Sequence, residues 1–269
     1  MDNYIALDAT DRIVSPLAIG TNATFIEDGW KGLITRPVNE TVIFRSMTQR
    51  KTVNVCQEQG RNYLYIDTGY IGNMQKRKDW HRIVYNGMQH SNIKWDLPSD
   101  RFEYISYSKS YLKFPGWKKQ GKAILLVTPS DKPCKFYGID RNEFVKTTIE
   151  ALKKYTDRPI IIRDKVIRRD RVGGGSIYNQ LDDDNIFAVV TYNSIAATEA
   201  IGYGIPCFTL APNAADEFCE KDLSLIETPK YEDNDKVSKW QHWLAYCQYT
   251  PAEMQDGKAI TLIKDYNLS

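Results

Sequence analysis

The chain has 269 residues, 42% hydrophobic and 26% charged, with a formal net charge of +2. That balance suits a soluble globular protein with one large domain or two ordinary ones, and it excludes wholesale disorder. No apolar run approaches the roughly 20 residues that span a bilayer, and the acidic N-terminus MDNYIALDATDR lacks a signal peptide's basic and apolar segments. The expected location is therefore the cytoplasm, with no membrane partner.

In chain order, TVIFRS (41–46) and RNYLYIDTGY (61–70) read as strands, separated by a stretch of moderate helical character. RFEYISYS is a third apolar, aromatic run. KFPGWKKQGK (113–122) clusters proline, glycine and charge as a linker does, which places a domain boundary there. From residue 122 the pattern becomes regular. KAILLVTPS suits a buried parallel strand ending in a small polar loop. NEFVKTTIEALKKYT places Phe144, Val145, Ile149 and Leu152 at helical spacing, with Lys153 and Lys154 in the last turn. The strand DRPIIIRDK, the long loop IRRDRVGGGS, the short helix IYNQLDDD and the strand NIFAVVTY follow. A short helix then begins at Asn193-Ser194 and stops at glycine before the strand IPCFTL.

Such alternation of strands and helices predicts a doubly wound α/β unit with a parallel sheet. The tail from Lys236 reads as helical, with Trp240, Trp243, Leu244 and Cys247 forming a packing stripe. The resulting division is an N-terminal α/β domain (1–118), a C-terminal ligand-binding domain (119–235) and a helical tail packing back on the body (236–269).

The five cysteines lie far apart with no CxxC pair, and there are three histidines. Neither a metal site nor a disulfide framework is expected. In an open α/β sheet, ligands bind at the carboxyl ends of the strands. Three loops occupy that edge: Thr128-Pro129-Ser130, Arg163-Asp164-Lys165 and Tyr192-Asn193-Ser194. A helix starting near Ser194 offers free N–H groups and a positive dipole end to phosphate oxygens, although Asn193 and Ser194 also suit simple capping. Glu199 is a lone carboxylate among alanines. It can accept both hydroxyl protons of a ribose, or pair with a nearby arginine. Arg163 and Lys165 can neutralise a diphosphate leaving group. Glycines 173–175 follow a basic loop and lack the dinucleotide spacing.

SIAATEAIGYGIPCF resembles the donor-binding segment of GT-B glycosyltransferases, in which a small-residue-rich S-x-x-A-x-E-A helix precedes G-x-P and a strand. With RPIIIRDK, VVTYNS, DLSLIETP and WLAYCQYTPAEMQDGKA, the chain resembles uncharacterised glycosyltransferase-like proteins of bacteriophages over residues 120 to about 260. Upstream the likeness rests on YIDTGYIG and WHRIVYNGMQ. The resemblance implies two Rossmann-like domains facing a cleft, with a nucleotide-sugar donor, UDP-linked by expectation, on the C-terminal domain. Ser130, Arg163, Lys165, Asn193, Ser194 and Glu199 are the implied donor-binding residues. No cofactor beyond that co-substrate is implied. Two departures from the pattern are a short N-terminal domain and the missing E-x7-E pair, because Thr191 stands where its first glutamate would be. The outcome leans to inversion, which needs a base for the acceptor hydroxyl. Asp67, ending a strand, is the first candidate and His81 the second.

Charge is uneven along the chain: residues 51–122 carry a net +7, against −1 before them and −4 after. Lys76, Arg77, Lys78, Arg82, Lys118 and Lys119, with Tyr111 and Trp117 nearby, suit a nucleic-acid backbone with aromatic contacts. With the phage resemblance, this points to a hydroxymethylated pyrimidine in DNA as the sugar acceptor, flipped out of its duplex. The alternatives are transfer to a surface polysaccharide or small glycan, a donor-only enzyme such as an epimerase, and a non-catalytic nucleic-acid-binding protein on the same scaffold.

Overall fold

The computed structural model describes residues 3–73, 79–164 and 177–268. The chain divides into two compact units, one formed by Met1–Lys94 with Trp243–Ser269, the other by Trp95–His242.

The first unit opens with β1 (Asn3–Leu7), α1 (Val14–Gly20), β2 (Thr24–Ile26), β3 (Glu40–Arg45), α2 (Arg50–Glu58), β4 (Tyr63–Thr68) and β5 (His81–Tyr85). Ile5, Ala6 and Leu7 of β1 and Val42, Ile43 and Phe44 of β3 are buried in succession, as strands covered on both faces must be.

In the second unit, α3 (Asp100–Ser106) makes a helix of the aromatic run RFEYIS. Next come β6 (Ala123–Val127), α4 (Asp131–Tyr137), α5 (Arg141–Leu152), β7 (Ile160–Arg163), α6 (Ile177–Asp183), β8 (Ile186–Thr191), α7 (Ala196–Gly202), β9 (Cys207–Thr209) and β10 (Cys219–Glu220). Helix α8 (Asn234–Tyr246) contains the second division point. The chain closes in the first unit with β11 (Gln248–Tyr249), α9 (Pro251–Gln255) and α10 (Lys258–Asp265).

The first unit's sheet has the order β11-β5-β4-β3-β1-β2. Its β2, β1, β3 and β4 run parallel, while β5 is antiparallel to β4 and β11 antiparallel to β5. Helix α1 packs Val14, Leu17 and Ala18 with Met254, Ala259 and Ile263 of the C-terminal helices over Ile43, Leu64 and Ile83. Residues from both ends of the sequence thus share one core.

The second unit's sheet, β10-β9-β8-β6-β7, is parallel throughout. Its strands β6 and β8 are buried at every position. Phe144 and Leu152 of α5 pack on Ile124, Leu126, Val190 and Phe208. The chain leaves β6 for β7 on one side and returns to β8 on the other, so the winding direction reverses between β6 and β8. In open sheets of this kind a ligand binds outside the carboxyl ends of the two strands at the reversal.

The 113–122 segment is packed, and is no linker. Trp117 Nε1 donates to Glu232 O at 2.7 Å, Phe114 N to Gln241 Oε1 at 3.1 Å and Lys118 N to Gly204 O at 2.8 Å. By contacts the chain divides upstream, at 94/95, and again at 242/243.

Candidate functional site

At the switch point of the second unit, two loops project from neighbouring strand ends. Thr128-Pro129-Ser130 follows β6 and Tyr192-Asn193-Ser194 follows β8. Thr128 N donates to Arg163 O at 3.1 Å, and Thr191 Oγ1 to Val127 O at 3.2 Å, which ties the ends of β6, β7 and β8 together. Ser130 stands at the N-cap of α4, yet its hydroxyl makes no capping bond. Ser194 precedes the N-cap Ile195: its Oγ accepts from Ala196 N at 3.0 Å, and its carbonyl accepts from Asn213 Nδ2 at 2.9 Å. Asn193 and Ser194 are both buried. Their loop is therefore held in place just ahead of α7. Arg163 closes the same edge and donates from Nη1 to Gln180 Oε1 at 2.6 Å.

Helix α7 owes its position to small residues. Ala196, Ala197, Thr198, Ala200, Ile201 and Gly202 are all buried, so only Glu199 reaches the half-exposed zone. The helix stops in a Schellman turn, with Ile205 N donating to Ala200 O at 2.9 Å and Gly204 N to Ile201 O at 3.0 Å. Gly204 takes φ +84°, and a Cβ there would lie 2.2 Å from Gly116 O. Glu199 sits against two phenols. Burial first, and then the Glu199 charge, raises the pKa of both Tyr111 and Tyr178. The rings of Tyr111 and Tyr178 are 5.0 Å apart, and those of Tyr178 and Tyr203 5.4 Å. This aromatic file beside the carboxylate was not foreseen, because its members come from three separate segments.

In the first unit, Asp67 ends β4 with its side chain 32% exposed. Tyr65 OH donates to its Oδ2 at 2.5 Å and Thr68 N to its Oδ1 at 2.7 Å. Arg82, its cross-strand partner on β5, donates from Nη2 to Oδ2 at 3.3 Å. The Arg82 guanidinium also donates to Thr68 O at 2.7 Å and lies 5.2 Å from the Tyr70 ring centroid. The site thus holds an oriented carboxylate, partly open to solvent and backed by a buried cation. Tyr65 was legible in principle, since YLYID places it two residues before Asp67 on the same strand face.

Two sequence assignments need correction. Arg82 is 4% exposed, so it supports Asp67 and cannot track a nucleic-acid backbone. His81, at 2% exposure, lies opposite Thr68 and Tyr249 inside the sheet, where a base for an external hydroxyl has no access. Of the other basic candidates, Lys118 Nζ is 3.0 Å from Asp182 Oδ1 and 3.6 Å from the Tyr203 ring centroid. Lys119 lies over Tyr231 at 5.3 Å. Lys76, Arg77, Lys78, Lys165 and glycines 173–175 lie outside the described residues. The +7 segment 51–122 is itself split between the two units.

Among the described residues no three His, Cys, Asp or Glu side chains are grouped to hold a metal, and no helix is long and apolar enough to cross a membrane. All five cysteines are free thiols.

No protein-family profile matches the chain, and no curated protein does. Among solved structures, the chain is similar to Thermosulfurimonas dismutans KpsC, beta Kdo 2,7 transferase. That likeness has a TM-score of 0.53 and 10% identity, and covers 96% of this chain and 99% of that one. At this identity the likeness shows a shared fold. A second match is Thermosulfurimonas dismutans KpsC, beta Kdo 2,4 transferase, with a TM-score of 0.49 and 13% identity over 98% of each chain.

Proposed function

We propose that the protein is a glycosyltransferase that moves a sugar from a nucleotide-sugar donor to a hydroxyl of a saccharide. The observation that carries this reading is the fold shared, over nearly the whole chain, with a Kdo transferase. The switch point of the second unit supports it independently. There Ser130 and the Asn193-Ser194 loop follow the strand ends where an α/β sheet takes its ligand, and Arg163 ends the neighbouring β7. In this reading Arg163 faces the donor's phosphates and Glu199 the ribose hydroxyls, with Tyr111 offering a ring for the nucleobase to stack on. Asp67 is the proposed base: its carboxylate takes the acceptor proton as the acceptor oxygen attacks the anomeric carbon and the nucleotide leaves. Arg82 and Tyr65 position it. A GT-B-like arrangement of the two units belongs to the same proposal.

The saccharide acceptor stands ahead of DNA because Arg82 and Lys118 are engaged within the protein, and because the structural neighbour is named for sugar transfer. The test is nucleotide release from a panel of nucleotide-activated sugars, Kdo among the sugars, with and without oligosaccharide or hydroxymethylated DNA. Release that requires the oligosaccharide is expected. Release that requires the DNA would restore the DNA reading, and none with any donor would end the transfer reading.

A further inference from the structure

A second opening lies on the carboxyl edge of the same parallel sheet, at the ends of β6 and β7, and shares Thr128 with the loop after β6. It encloses about 280 Å³. Its apolar lining is Val145 of α5 and Ile162 of β7, a large side chain left 47% exposed. Its rim is polar. Arg141, Asn142 and Lys146 come from the first turns of α5, and Thr128 and Asp164 from the loops after β6 and β7.

Two of these groups are held in place. Arg141 donates from Nε to Pro129 O at 2.9 Å and pairs with Asp131, while Thr128 Oγ1 donates to Asp164 Oδ1 at 2.8 Å. Arg141 thus has a counter-ion, whereas Lys146 has no carboxylate partner among the described residues. The volume falls just below the range of about 300–1,000 Å³ that takes drug-sized ligands, so it suits a single sugar ring.

We propose that this opening is a saccharide subsite for an anionic sugar residue, one bearing a carboxylate or a phosphate. The apolar lining takes the C–H face of the ring. Asp164 and Asn142 hold ring hydroxyls, and Lys146, with Arg141 behind it, takes the anion. The inference rests on the transfer reading and deepens it by naming a substrate class.

The test titrates the full chain with glucuronate, glucose 6-phosphate and glucose, in the native protein and in Lys146→Glu, an exposed position whose reversal leaves the core untouched. Both acids should bind at least about tenfold more tightly than glucose, and Lys146→Glu should erase that preference without changing glucose binding. Equal binding of glucose, no binding of either acid, or an unchanged preference in the variant would overturn the proposal. A parallel titration with uridine, cytidine and guanosine nucleotides separates the two failures. If nucleotides bind and the acids show no preference, the subsite alone is lost. If no nucleotide binds either, the transfer reading falls with it.

Discussion

Three side chains carry consequences that single substitutions expose. Glu199 is the only acidic residue on α7, and its charge is felt by Tyr111 and Tyr178. If it accepts ribose hydroxyls, Glu199→Gln removes a charged hydrogen bond worth about 1.5–3 kcal/mol, and nucleotide affinity should fall on the order of tenfold or more. Unchanged affinity by calorimetry would leave Glu199 as a partner of the phenols alone. Asp67→Asn has two effects at once. Turnover should fall about a hundredfold or more with donor affinity kept, as loss of a general base implies. Stability should also fall, by less than the about 3–5 kcal/mol of a fully buried pair, because Arg82 loses its counter-ion while Asp67 itself is part exposed. A variant that melts early but turns over normally would reduce Asp67 to a structural partner. His90 sets a pH dependence. Burial, and then the Arg82 cation, lowers its pKa from 6.5 to about 3. The unfolded chain therefore takes up a proton near pH 6.5 that the folded one refuses until about pH 3, so stability is full above that window and declines as pH falls through it. His90→Gln should flatten the melting temperature between about pH 6 and 4. An unchanged slope would mean that other groups govern the acid side.

At the scale of elements, what was legible depended on whether the signal was local. Strands β6 and β8 are continuous apolar runs bounded by polar loops, and α5 shows its apolar spacing, so the parallel ladder can be read directly from AILLV, IFAVVT and EFVKTTIEAL. The turn GYGIP after α7 was equally readable, and its glycine has two reasons to be there. Gly204→Ala must both hold a positive φ and push a methyl group into Gly116 O, whereas Gly138, at φ +70°, has open space around it. Denaturant unfolding should show Gly138→Ala costing about 1 kcal/mol and Gly204→Ala a further 1–3 kcal/mol. Equal costs would contradict the close approach of the 116 and 204 segments. Strand β5 was hidden for the opposite reason. HRIVY carries a histidine and an arginine in buried positions, and Arg82 is accommodated there by Asp67, fifteen residues away, by Thr68 O and by the Tyr70 ring. Read locally, the same residues looked like a nucleic-acid patch. The two-residue β11 has no periodicity to find; Gln248 fixes its surroundings by accepting from Tyr70 N at 2.7 Å and donating to Ile71 O at 2.9 Å.

At the scale of the whole chain, the division into units could not be read from composition. KFPGWKKQGK has a linker's residues, but Trp117 and Phe114 anchor it within the second unit. The return of residues 243–268 to the first unit's core depends on Met254, Ala259 and Ile263 meeting α1, more than 230 positions earlier in the sequence. The position of the candidate ligand edge was more legible than the identity of the acceptor. The switch-point loops follow from strand order alone, whereas basic residues spread over 51–122 say little until their partners are seen. A nucleotide donor should bind at the carboxyl edge between β6 and β8. Hydrogen exchange of the full chain, with and without saturating nucleotides, tests this most directly. Slowed exchange is expected at Thr128, at Ser130 and at residues 192–199. Nucleotide binding that leaves those amides unchanged and protects other segments would contradict it.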